Sequence, residues 1–301
     1  MDGVDPSVEL AVAEACGLGE SPMWHPREQV LYWCDIPGHR LYRFDPVRRD
    51  LVHWQFDTDL ASCAPMLDGG MLLAMRDGLF RCDLAIGARV RLAAPPYDGE
   101  VERFNDGKSD AQGRFWVGTI YEPRQPALAA LYRYHRGELE RQADGITVSN
   151  GLGWSPDGRT MYWSDTKAHR IDAFDVEPAS GELSARREFA RFEPRRPGEP
   201  LAQYGGRPDG AAVDTEGCYW VAMFEGARLL RLSPQGDVLR EVRLPVQCPT
   251  MPCFGGADLK TIYITTARHG RPPEELAAQP WAGGVLSLRV DVPGLPANMA
   301  H

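Results

Sequence analysis

Arg207-Pro208-Asp209-Gly210-Ala211-Ala212-Val213-Asp214-Thr215-Glu216-Gly217-Cys218-Tyr219-Trp220 holds one unit of a repeat. A carboxylate, Asp209, stands where the unit begins. The apolar run Ala211 to Val213 follows it, then the turn Asp214-Thr215-Glu216-Gly217, then a second apolar run from Cys218 to Met223. Two short strands joined by a tight glycine-containing turn is the simplest reading.

The arrangement recurs along the chain. The second strand of each unit carries an aromatic or aliphatic pair: Tyr32-Trp33, Leu72-Leu73, Phe115-Trp116, Tyr162-Trp163, Tyr219-Trp220 and Ile262-Tyr263. Successive pairs are 40, 43, 47, 57 and 43 residues apart. A period in the forties with about four short strands per unit predicts a β-propeller. Alternating residues mark a half-buried third strand at 40–45, 78–83, 130–134, 170–175, 228–232 and 285–289. Fourth strands are weaker, at 51–54, 88–92, 183–189 and 238–244.

The expected fold is therefore all-β: a six-bladed β-propeller in a single domain over 1–301, with a blade core at about 8–291 and short flexible termini. The run 8–12 is expected to pair with the last unit and close the ring, which removes an open sheet edge. Residues 191–206 fall out of step and are rich in Pro, Gly and Arg. Two readings of them stand, a lid over the mouth of the ring and a plain insertion.

Composition narrows the function. With 301 residues, 43% of them hydrophobic, the chain can bury a sizeable core. Pro (25) and Gly (31) are spread throughout, which fits many turns better than long helices. A net charge of −9 argues against a nucleic-acid surface. No apolar run reaches the length of a membrane span, and the first residues lack the basic and apolar regions of a signal peptide. Seven scattered Cys without a Cys-x-x-Cys motif read as reduced thiols of a cytoplasmic protein. The expected partner is a small molecule, with no nucleic acid or membrane, and the chain a monomer or weak oligomer.

The chemistry lies where the first strand of each unit starts. Glu20 precedes Trp33 by 13 residues, Asn105 precedes Trp116 by 11, Asn150 precedes Trp163 by 13, and Asp209 precedes Trp220 by 11. Units two and six offer only Ser62 and Pro252 there. The first strands of a propeller line its central channel, so these four side chains should converge near the axis. Two carboxylates buried together repel, and a hard divalent cation resolves that cost. Oxygen donors without His or Cys suit calcium, magnesium or manganese better than a zinc-type site. Asp106-Gly107, Asn150-Gly151 and Asp209-Gly210 are also ordinary turn dipeptides. The cation reading rests on four repeats sharing one position.

Arg103 stands two residues before Asn105 and should project near the same mouth, where it could hold a polar substrate. Its plainer reading is a surface pair with Glu100 or Glu102. Glu122 follows the second strand of unit three and reads first as a solvated loop carboxylate. His25, His39 and His169 sit in or beside turns and read as surface or packing residues.

Gly17-Leu18-Gly19-Glu20-Ser21-Pro22, Arg103-Phe104-Asn105-Asp106-Gly107-Lys108, Ser149-Asn150-Gly151-Leu152, Pro208-Asp209-Gly210 and Cys253-Phe254-Gly255-Gly256 together resemble the gluconolactonase/SMP-30/regucalcin family, from about residue 8 to about 290. The resemblance implies a six-bladed propeller that hydrolyses a sugar lactone to its aldonic acid with one divalent cation. Calcium leads, and zinc, manganese and magnesium are the alternatives. It implies Glu20, Asn150 and Asp209 as metal ligands, with Asp209 also the catalytic base. It implies Arg103 and Asn105 as substrate contacts, and the family's acidic residue after Gly118-Thr119-Ile120 falls on Glu122. Two other readings compete: another metal-dependent esterase or phosphotriesterase-like hydrolase, and a calcium-binding propeller without catalysis.

Overall fold

Every aromatic or aliphatic pair lies on the second strand of a four-stranded antiparallel sheet. The computed structural model describes residues 3–301. After β1 (Val8–Val12), blade one comprises β2 (Gly19–His25), β3 (Val30–Asp35), β4 (Arg40–Asp45) and β5 (Asp50–Gln55). Blade two comprises β6 (Leu60–Pro65), β7 (Met71–Met75), β8 (Gly78–Asp83) and β9 (Ala88–Ala93). Blade three comprises β10 (Glu102–Ser109), β11 (Phe115–Tyr121), β12 (Ala129–His135) and β13 (Glu138–Ile146). Blade four comprises β14 (Ser149–Trp154), β15 (Thr160–Asp165), β16 (Arg170–Val176) and β17 (Leu183–Arg191). Blade five comprises β18 (Arg207–Val213), β19 (Tyr219–Phe224), β20 (Arg228–Leu232) and β21 (Val238–Arg243). Blade six comprises β22 (Pro249–Gly255), β23 (Thr261–Thr266) and β24 (Val285–Arg289), with β1 as its outer strand.

The closure expected from 8–12 is present. Val8 pairs with Leu288 and Leu10 with Leu286, so the first strand fills the edge of the last blade. Strand β13 is the fourth strand the sequence reading does not name, and the short helix Pro273–Ala278 is likewise absent from that reading. The residues of β13 are mostly polar and half-buried or exposed, so no apolar alternation marks it.

Packing between neighbouring blades makes the core. One cluster joins Leu72 and Leu79 of blade two to Phe104, Phe115 and Tyr132 of blade three; another joins Tyr162 and Ile171 of blade four to Tyr219 and Leu230 of blade five. Trp33, Trp116, Trp163 and Trp220 are almost wholly buried. A buried indole N–H needs an acceptor. In blades three and five the turn before the pair supplies it. Trp116 Nε1 donates to Asp110 at 2.8 Å and Trp220 Nε1 to Asp214 at 3.0 Å. Each of these Asp side chains also accepts backbone N–H groups from its own turn. The repeated turn thus closes the hairpin and anchors the tryptophan.

The expected flexible C-terminus is instead a strap. Leu295 N donates to Val213 O at 3.1 Å, Ala300 N to Pro65 O at 2.7 Å and His301 N to Gly113 O at 3.0 Å. These acceptors lie where the inner strands end, so the tail crosses the face opposite the one where those strands begin. Carbonyls at the strand ends need partners, and the tail supplies them. All seven Cys are free and buried. No helix among the described residues is long and apolar enough to cross a membrane.

Candidate active site

The inner strands are β2, β6, β10, β14, β18 and β22, and each carries a register shift. The shifts fall between Glu20 and Met23, Phe104 and Gly107, Asn150 and Gly153, and Pro208 and Ala211 in the four blades with candidate residues. A bulge bends a strand and re-aims its side chains. Glu20, Asn105, Asn150 and Asp209 each lie inside or at the edge of one. The turn-like dipeptides in the sequence are therefore bulges. Gly151 shows why one of them needs glycine. Its φ is +63°, and a Cβ there would meet Ser164 Oγ at 2.2 Å and Tyr219 OH at 2.3 Å.

All four side chains are buried at the end where the inner strands begin. Asn105 Nδ2 donates to Asn150 Oδ1 at 2.9 Å and to Ser149 O at 2.8 Å. Asn150 Nδ2 donates to Thr166 Oγ1 at 2.8 Å. Arg103 Nη1 donates to Asn105 Oδ1 and to Phe104 O, each at 2.8 Å. A chain of hydrogen bonds from Arg103 through Asn105 and Asn150 to Thr166 thus fixes both carboxamides. Arg103 itself is buried and does not pair with Glu100 or Glu102.

The two axial carboxylates are under electrostatic stress. Burial, then repulsion from Asp209 and Asp106, holds Glu20 well above the ordinary carboxylate range. Burial pushes Asp209 up to about 8, against the pull of Arg207 and Arg124. Asp106 is a third acid that the sequence reading did not single out, although it stands beside Asn105. Its Oδ2 accepts from Leu152 N at 2.8 Å, while its buried Oδ1 lacks a hydrogen-bond partner. Lys108 lies within Coulombic reach of Asp106 and donates to Ala211 O at 2.7 Å.

These residues fit a hard divalent cation. The donors are oxygens, the two acids are desolvated and mutually repelled, and the carboxamides are held in place by neighbours. Among the described residues no group of three or more His, Cys, Asp or Glu is arranged to hold a metal. Any cation here would therefore draw on Asn150 beside Glu20 and Asp209.

Glu122 is not the free loop carboxylate of its plainer reading. Arg76 donates to its Oε2 at 3.0 Å and its Oε1 at 2.9 Å, and Arg103 Nε lies 3.8 Å away. The Arg76 hydrogen bonds hold its carboxyl below the ordinary range. Arg76 also binds Asp59 at 2.7 Å. Arg76 and Asp59 sit in different connections from the motifs, so no spacing in the chain marks them.

Of the histidines, His25 Nδ1 accepts from the backbone of Arg27 and Glu28, and His169 Nε2 lies 2.5 Å from Tyr204 OH. Both act in packing. Tyr204 is buried and follows the short 3-10 turn Leu201–Gln203, so His169 ties down the end of the 191–206 segment. That segment joins β17 to β18 at the same end of the ring as Asp209.

Fold and site together define a six-bladed propeller with an acidic, oxygen-lined site on its axis. The SMP-30/Gluconolactonase/LRE-like region matches residues 18–268, and the chain belongs to that family. It is 43% identical over 293 residues to 6-deoxy-6-sulfogluconolactonase of Pseudomonas putida, covering 96% of each chain. It is 36% identical over 299 residues to regucalcin of Oryctolagus cuniculus, again covering 96% of each. A calcium-binding protein, regucalcin, from Agrobacterium tumefaciens shares the fold with a TM-score of 0.90 at 24% identity, covering 97% of this chain and 96% of that one.

Proposed function

We propose that this protein hydrolyses a sugar lactone to its aldonic acid, using one divalent cation. The observation that carries the reading is the buried meeting of Glu20, Asn150 and Asp209 beside the Arg103–Asn105 pair. The sulfogluconolactonase relative supports the substrate class. Glu20, Asn150 and Asp209 would hold the cation, and oxygen-only donors favour calcium. Bound there, the cation supplies Lewis-acid polarisation of the lactone carbonyl and charge stabilisation for the oxyanion.

The chain's own residues do the rest. Water adds to the carbonyl carbon, the acyl C–O bond of the ring breaks, and the ring oxygen leaves as a hydroxyl by taking up the proton that Asp209 removed from the water. A carboxylate oxygen of Asp209 takes the proton from the attacking water. Arg103 and Asn105 present polar groups to the sugar hydroxyls and orient the ring. Glu122, locked by Arg76, adds an acceptor on the same side. Seven buried, unpaired thiols support a reducing, cytoplasmic setting.

The test is proton release from a panel of aldonolactones by metal-stripped protein, with calcium, manganese, magnesium or zinc added back. Cation-dependent hydrolysis is the expected result. Tight cation binding with no turnover of any lactone, aryl ester or phosphotriester would replace this reading with a binding-only propeller.

A further inference from the structure

Most guanidiniums at the mouth of the channel are matched by carboxylates. Two clusters there are balanced. Arg76 binds Asp59 at 2.7 Å and Glu122 at 2.9 Å, with Arg103 Nε 3.8 Å from Glu122. Arg271 binds Glu225 and Glu275, each at 2.7 Å, and Arg207 binds Glu225 at 3.1 Å. Each cluster sets two guanidiniums against two carboxylates. On the axis, Glu20 and Asp209 would match one divalent cation, and Asp106 faces Lys108.

Two cations stand outside these clusters. Arg124, in the β11–β12 connection, forms no ion pair among the described residues. Lys167, in the β15–β16 connection, gives its ammonium to Arg124 O at 2.5 Å rather than to a carboxylate. Both connections lie at the end of the ring where Asp209 sits. Next to them, Arg207 stacks over Phe224 at 5.2 Å, and its Nε is buried without a hydrogen-bond partner. Partial burial, then the charge of Arg207, holds Arg124 below the ordinary guanidinium range.

Arg124 and Arg207 repel each other beside the site, while Glu122 and Asp209 act on Arg124 without forming an ion pair with it, and an anionic ligand group would relieve that repulsion. A guanidinium fork with an ammonium behind it suits a group with several acceptor oxygens. We propose that Arg124, backed by Lys167 and Arg207, is an anion clamp, and that the preferred lactone carries a sulfonate or phosphate on the carbon remote from the ring carbonyl. The proposal rests on the lactonase reading. The lactone carbonyl lies on the axis at Asp209, which leaves the far end of the sugar to the rim where Arg124 stands.

The experiment compares three substrates with the calcium-loaded protein: glucono-lactone, 6-phosphogluconolactone and 6-deoxy-6-sulfogluconolactone. The readout is the ratio of kcat/KM for each charged lactone to that for the neutral one, in the native protein and in Arg124→Gln. The native protein should favour a charged lactone about 10-fold or more, the scale of a charge-assisted hydrogen bond. Arg124→Gln should lower that ratio by a similar factor, with an unchanged melting temperature. Whichever charged substrate shows the larger ratio separates sulfonate from phosphate.

Equal or better use of the neutral lactone would overturn the clamp and leave the lactonase reading standing. An equal loss on all three substrates in Arg124→Gln would also overturn it. If no lactone is turned over, calorimetric titration with 6-deoxy-6-sulfogluconate decides: binding that Arg124→Gln weakens about 10-fold supports the clamp, and no binding by the native protein overturns it.

Discussion

Asn105 Nδ2 donates to Asn150 Oδ1 at 2.9 Å, and this bond joins blade three to blade four at the channel axis. Asn105 therefore acts on the candidate cation site through Asn150, and its own Oδ1 is already taken by Arg103. Removing such an outer partner typically weakens metal binding about 10- to 100-fold. Asn105→Ala should lower calcium affinity by that factor in a calorimetric titration. Unchanged affinity would confine Asn105 to the substrate side.

Asp209→Asn keeps the size of the side chain and removes its charge. If Asp209 takes the proton from water, turnover should fall at least about 10²-fold. The metal-stripped variant should melt no lower than the stripped native protein, because one of two repelling buried acids is gone. Near-normal turnover would move the catalytic base elsewhere.

The pH dependence of the stripped protein has a definite sign. Asp209 rises from 3.8 to about 8 on folding, and Glu20 shifts in the same direction. A raised carboxyl contributes stability that is fully present below its unfolded value and lost as pH climbs through its folded value. The stripped protein should therefore lose stability between about pH 4 and pH 8, by up to about 1.4 kcal/mol per pH unit for each proton released. A bound cation favours the ionised acids, so the gap in melting temperature between loaded and stripped protein should widen with pH. A gap that stays constant from pH 5 to 8 would show that these acids do not hold the cation.

Asp214 gives a contrast, since it serves the fold and lies away from the mouth. It accepts from Trp220 Nε1, Arg231 Nε, Glu216 N and Cys218 N. Asp214→Ala leaves those buried donors unsatisfied and should cost about 2–4 kcal/mol. Urea melts would read that loss. Turnover at 25 °C should remain within about 2-fold, which sets this Asp apart from Asp209.

The repeat of strand, turn and aromatic pair determined the fold by itself. Short strands with buried Trp33, Trp116, Trp163 and Trp220 cannot cover their apolar faces alone, so the units must stack into a ring. The same periodicity marked Glu20, Asn105, Asn150 and Asp209, because equivalent positions on inner strands meet at the axis. Tertiary structure decided what periodicity does not carry. Asp59, Arg76 and Arg124 come from connections between strands, whose lengths and sequences differ from blade to blade, and Arg207 is the first residue of β18, where the long 191–206 connection enters the blade. Their partnership with the site depends on which loop ends lie side by side around the rim. The bulges that aim the axial side chains, and the tail that crosses the opposite face, are likewise set by backbone pairing across distant segments. A local pattern cannot encode such pairing, because its hydrogen bonds form only once the ring has closed.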